Sequence, residues 1–291
     1  MAVAHGSKDP RATATIASLL ELVRSRAAAR GLIGLDAREA FLDHCAPSLA
    51  DALAGAVGAS RGGDPPYPPR ASRGGERSAP TECHPECHPE YRPYPPRASR
   101  DIVLVPLLLT AAYHSKSDIP AQVAAAAARL HRCQVRQTAT LGPHPLLIAG
   151  LERRLAEATA PASETSVVLA AAGSSDPLAN EMVATLAARW QAAGRWRRVV
   201  PAYASASSPS PAEAVRALHA RFPRHRVVVA TYLLAPGYFA DKIEAQALEA
   251  GAVAVSAPLG AIPEVANVII DRYEATVEQA RDWLPGTRST M

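Results

Sequence analysis

The sequence predicts an α/β protein of two similar domains, each a mostly parallel four-stranded sheet with helices on both faces. Three observations carry that reading. Short β-rich runs alternate with longer Ala/Leu/Arg segments of helical period, the pattern of βαβ units. Asp-Pro pairs stand where helices should begin, with glycines where they should end. The second half also repeats motifs of the first.

The first strand candidate, Ala2–His5, is short, because only Met1 to Ala4 precede His5, which leaves the start codon open to reassignment. Asp9 caps the following helix and Pro10 takes its first position, where the missing N–H costs nothing; Gly31 stands where that helix should stop. Ala37–Asp43, Ile102–Thr110 and Gln134–Leu141 complete the first set of strands. Ser166–Ala172 opens the second set, and Asp176-Pro177 and Gly194 bracket the next helix as before. Arg198–Ser205, Arg226–Ala235 and Ala252–Ser256 follow as strands, with helices in the gaps.

VAHGSKDPRA (Val3–Ala12) matches AAAGSSDPLA (Ala170–Ala179), and PLLLTAAYHSKSDIPAQ (Pro106–Gln122) matches TYLLAPGYFADKIEAQ (Thr231–Gln246) with one residue deleted. An internal duplication explains both matches and divides the chain into domains at 1–160 and 161–291. His5 and His114 lie 109 positions apart, whereas their counterparts Ala172 and Phe239 lie 67 apart, so the first half carries an insert. It falls at about 60–100, where Ser60–Arg100 holds ten of the 26 prolines and the string YPPRASR twice. Proline at that density removes ladder and helix donors, so a polyproline-like or disordered surface loop is expected. Within it, Cys83, His84, Cys87 and His88 are of metal-binding type. Their spacing is unlike a zinc knuckle, and verbatim repetition of ECHP favours tandem expansion of the coding sequence over a selected site.

Apolar residues make up 48% of the 291 residues, enough for a large interior, and with three Phe and three Trp that interior must be aliphatic. Basic residues are scattered over a net charge of +4, not gathered into a stripe, which argues against nucleic acid as a partner. Four cysteines make no disulfide framework, and neither a leader peptide nor a long apolar window is apparent. A soluble cytoplasmic protein with no membrane partner is expected; the oligomeric state is not legible. Neither G-x-G-x-x-G nor a P-loop follows any strand, so nucleotide binding is a poor reading.

Ligands of open parallel sheets sit beyond the carboxyl ends of the strands, and His5 and His114 both fall there. Two imidazoles over one opening form a partial ligand set for Fe²⁺, Co²⁺ or Zn²⁺ and accept protons near neutral pH. Each histidine alone could be a satisfied polar residue at a strand end. The copy argues otherwise: it keeps Gly173, Ser174, Asp176 and Pro177 yet has lost both imidazoles together.

HGSKDP, FLDHCAPSL (Phe41–Leu49) and PLLLTAAYHSKSDIP together resemble the sirohydrochlorin chelatase family in its long two-domain form, over about 250 residues outside the insert. The resemblance implies insertion of Co²⁺ or Fe²⁺ into sirohydrochlorin, in siroheme or cobalamin biosynthesis, with the ion as substrate and no tightly bound cofactor. By the same resemblance His5 and His114 bind metal and take protons, and the family's acidic residue falls on Asp43. Many relatives have Glu there, and with His44 next to the shorter Asp43, either side chain could reach the metal. Lys8, Arg11 and Lys116 are the candidate counter-charges for the substrate's carboxylates. Cys45 and Cys133 read as buried small hydrophobes. The rival from another class is a non-catalytic metal carrier using the Cys/His tract and the histidine cleft, which deletion of 60–100 would disarm.

Overall fold

The computed structural model describes residues 1–58, 101–111, 118–127, 133–159 and 164–282. All eight strand candidates form strands, in two wholly parallel four-stranded sheets. The first contains β1 (Ala2–Ala4), β2 (Glu39–Phe41), β3 (Ile102–Pro106) and β4 (Val135–Gln137) in the order β2-β1-β3-β4. The second contains β5 (Thr165–Ala171), β6 (Arg198–Tyr203), β7 (Arg226–Tyr232) and β8 (Ala254–Val255) in the matching order β6-β5-β7-β8. Seven strands are shorter than the apolar runs that predicted them. The apolar pattern continues past the last ladder bonds, as at Leu107–Thr110 and Leu233–Ala235, because those residues line a cleft at the strand ends.

The helices are α1 (Pro10–Ala29), α2 (Leu49–Gly58), α3 (Ile119–Ala127) and α4 (Pro145–Ala158) in the first half, and α5 (Pro177–Ala192), α6 (Pro211–Arg221), α7 (Tyr238–Glu249) and α8 (Pro263–Asp282) in the second. Their punctuation is as the sequence indicates. Asp9 Oδ1 accepts from the Arg11 amide at 2.9 Å and Asp176 Oδ1 from the Leu178 amide at 3.0 Å. Gly31 and Gly194 follow α1 and α5 at φ 82° and 79°, the left-handed conformation that ends a helix.

Strand alternation sorts the interior into three layers of side chains. Val3, Ala40 and Leu104 face outward onto Leu49 and Leu53 of α2 and Ile119 of α3. Val168, Ala170, Val227 and Val229 face outward onto Val215 and Leu218 of α6 and Ile243 of α7. The opposite faces of both sheets belong to one continuous core, in which Ala2, Ala4, Val103 and Val105 join Val167, Leu169, Val228 and Ala230 through α1, α4, α5 and α8. α8 packs on α1 and on α4, and α4 reaches β7 of the other sheet, so each half closes its interior with helices from both. Trp190 and Trp196 in this shared core both donate from their indole nitrogens to Glu152 Oε1 at 2.7 Å.

Among the described residues no helix is long and apolar enough to cross a membrane. The tract carrying Cys83, His84, Cys87 and His88 lies outside the described residues, as do His114 and Lys116.

Candidate active-site cleft

β1 ends at Ala4, and His5 begins the turn to α1. Gly6 sits at φ 94°, and a Cβ there would fall on the Asp43 carbonyl oxygen, so the turn needs glycine on two counts. That close approach binds two loops together, with the Asp43 amide donating to the His5 carbonyl at 2.9 Å. Cys45 joins them from a second direction: its thiol donates to the Ser7 carbonyl at 3.1 Å and lies 3.4 Å from the Ser7 amide. Read from sequence as a buried small hydrophobe, Cys45 is half-buried and uses its sulfur to brace the loop behind His5. Ser7 Oγ accepts from the Asp9 amide at 3.1 Å, which holds the turn into α1 and leaves the helix cap to Asp9.

The β2 loop carries the next candidates. His44 adopts φ 61°, with its amide donating to Asp43 Oδ1 at 2.8 Å. Its ring centroid lies 6.4 Å from that of His5, and its Nε2 lies 3.3 Å from Asp43 Oδ2. His5, Lys8 and His44 line a cleft of about 580 Å³ between the two halves, the size of an ordinary small-molecule site. Asp43 is not among the lining residues; its carboxylate is turned onto the His44 ring. The sequence left Asp43 and His44 as alternatives, and the geometry pairs them, with the imidazole in the cleft and the carboxylate against it. Among the described residues, no group of three or more His, Cys, Asp and Glu side chains is arranged to hold an ion.

Arg11 is placed at the rim, where it bridges the halves: its guanidinium meets Asp9 at 2.6 Å and Asp241 of α7 at 2.7 Å. Its hydrogen bonds hold the Asp9 carboxyl below the usual carboxylate range, and those carboxylates raise the Arg11 pKa. Asp241 was not legible as a partner, since 230 positions separate the pair.

The second half supplies the other wall through Ala172, Gly173, Asn180, Tyr238 and Phe239. It repeats the turn of the first: Gly173 sits at φ 84°, and a Cβ on it would fall on the Ser205 carbonyl oxygen. The Ser205 amide donates to the Ala172 carbonyl at 2.9 Å. Ala206 adopts φ 56° where the first half has His44, and Pro209 takes the place of Pro47. FLDHCAPS (Phe41–Ser48) therefore corresponds to YASASSPS (Tyr203–Ser210), a match of two identities in eight that only the shared backbone geometry makes visible.

A pair of stacked βαβ halves with one core between them, and imidazoles on one wall of the intervening cleft, is a two-domain chelatase-like arrangement. The chain belongs to the CbiX family, whose model matches residues 83–158 and 166–276, one span in each half. The matched spans include His114 and Lys116; His5, Lys8, Arg11, Asp43 and His44 precede them. The chain is 27% identical over 179 residues to a sirohydrochlorin ferrochelatase of Bacillus subtilis (strain 168), covering 60% of this chain and 68% of that protein. It is 31% identical over 144 residues to a sirohydrochlorin ferrochelatase of Priestia megaterium, covering 49% of this chain and only 54% of that protein. Its fold matches that of SirB from Bacillus subtilis, solved with Fe³⁺, at a TM-score of 0.73 and 21% identity over 97% of this chain and 96% of that one. The resemblance read from HGSKDP and its companion motifs is thereby borne out at the level of family and fold.

Proposed function

We propose that this chain inserts a divalent metal, Fe²⁺ or Co²⁺, into sirohydrochlorin at the cleft between its two halves. The observation that carries the reading is the meeting of His5 and His44 there, with Asp43 against the second ring. An imidazole centroid lies roughly 3.2 Å from an ion bound by its nitrogen, given metal–nitrogen bonds of about 2.1 Å. Centroids 6.4 Å apart are therefore at the outer limit of what one ion can span, which suits a donor pair that must give the ion up again.

In this reading His5 and His114 hold the ion and take the two pyrrole protons that leave as four ring nitrogens replace its water. His44 is the additional donor. Asp43 acts through it: its carboxylate stands 3.3 Å from Nε2 and fixes the ring, as carboxylates do behind metal-bound histidines. Imidazole and carboxylate hold Fe²⁺ and Co²⁺ loosely enough to pass on, where thiolates would retain them. Lys8, Arg11 and Lys116 meet the carboxylates at the macrocycle's rim; Arg11 must exchange Asp9 or Asp241 to do so.

The test is direct: purified protein, sirohydrochlorin and each ion are mixed anaerobically and the absorption spectrum is followed for metallation. His5→Ala and His114→Ala should each slow insertion at least about a hundredfold with the fold intact. Near-normal turnover in both variants would remove the proposed centre.

A further inference from the structure

Among the described residues the exposed large hydrophobic side chains are Ile33, Leu178, Tyr238, Phe239, Leu248 and Val253, and of these only the two aromatic ones line the cleft. Tyr238 is 72% and Phe239 38% exposed. Neither ring is needed to seat its helix, because α7 buries Ala240, Ile243 and Ala247 instead. Gly237, at φ 146°, turns the chain so that both residues open α7 at the cleft. Their rings stand edge to face with centroids 5.4 Å apart, so the side chains brace each other while leaving apolar surface uncovered. Phe239 is also the residue that replaces the histidine of the first half.

We infer that Tyr238 and Phe239 form the wall against which the flat face of the tetrapyrrole packs, so that the second half binds the macrocycle while the first handles the ion. The inference rests on the chelatase reading for its ligand. A conjugated ring with carboxylates at its edge needs an apolar, aromatic surface for its face and cations for its rim, and the cleft offers both: Leu107, Leu109 and Leu234 extend the apolar lining, and Lys8 stands among them.

The test uses the full chain with metal-free sirohydrochlorin as probe, titrated by absorbance, beside insertion kinetics and calorimetric Co²⁺ binding without tetrapyrrole. Tyr238→Ala and Phe239→Ala should each weaken tetrapyrrole affinity and raise its KM by about five- to tenfold, with kcat within about twofold and Co²⁺ affinity unchanged. Phe239→Leu, which keeps apolar area without the ring, should fall between. If Phe239→Ala melts early, Tyr238→Ala and Phe239→Leu decide. Wild-type affinity and KM in all three variants overturns the wall and leaves the chelatase reading standing. A wild-type chain that binds the probe in an aromatic-dependent way but inserts no metal supports the wall and removes that reading, while one that binds no probe overturns both.

Discussion

At the end of β1 and at the end of β5 the chain makes the same turn with different side chains. Gly6 and Gly173 both press against a neighbouring carbonyl, that of Asp43 and of Ser205, and in both halves the adjoining loop continues through a residue in the left-handed region, His44 and Ala206. Where the first half places His5, Asp43 and His44, the second places Ala172, Ser205 and Ala206. Because Ala206 holds φ 56° with nothing to coordinate, the unusual backbone at His44 belongs to the fold and not to its chemistry. The imidazoles and the carboxylate are additions to a turn that stands without them, which is why their removal should silence the cleft and leave the molecule folded.

Substituting the glycines tests the shared part of the comparison. Gly6→Ala and Gly173→Ala should each cost roughly 2–4 kcal/mol in urea denaturation, from left-handed strain plus collision with backbone that has nowhere to move. At a temperature where both variants remain folded, Gly6→Ala should also lower kcat for insertion, because its turn carries His5, whereas Gly173→Ala should act on KM alone. A Gly173→Ala variant as stable as wild type would break the equivalence of the two turns.

The rim offers a smaller effect of opposite sign in its two arms. Arg11 corresponds to Leu178 in the copy, and its partner Asp241 falls in the stretch aligned with Ser115–Asp118, where one residue is deleted. If Arg11 serves the substrate's carboxylates, Asp241→Asn should lower KM for sirohydrochlorin and Arg11→Leu should raise it, each by about threefold at low ionic strength and less in salt. Shifts in the same direction would assign Arg11 to joining the halves alone.

The smallest effect concerns how the first half rests on the second. His144 caps α4, accepting from the Leu146 amide through Nδ1 at 3.2 Å, and faces Asp271 of α8 at 3.6 Å. Burial, and then the Arg272 charge, push its pKa below the ordinary 6.5. Its neutral form is thus favoured in the folded state, and stability should decline as pH falls from 6.5 towards the lowered value. His144→Asn keeps a capping acceptor and should flatten that decline in pH-resolved thermal melts.

Much of this was legible in the chain. Strand–helix alternation, Asp-Pro caps and terminating glycines announced both halves, because each follows from local backbone preference. The strand ends were overdrawn at Leu107–Thr110 and Leu233–Ala235, since apolar character there serves the cleft and a one-dimensional pattern does not distinguish a ladder from a lining. His5 stood out because its counterpart is alanine. The equivalence of Asp43 with Ser205 did not, because carbonyl contacts, not side chains, define that turn. The single core joining the sheets was hidden as well: α4 and α8 carry ordinary amphipathic patterns, which say that a face is buried but not against which half.

That joined interior sets the terms on which any visitor enters. Jaws connected by a linker would have separate interiors, but here α1, α4, α5 and α8 fill the space behind the opening with side chains packed against both sheets. Shifting one side of the opening against the other would disturb the packing of all four helices at once.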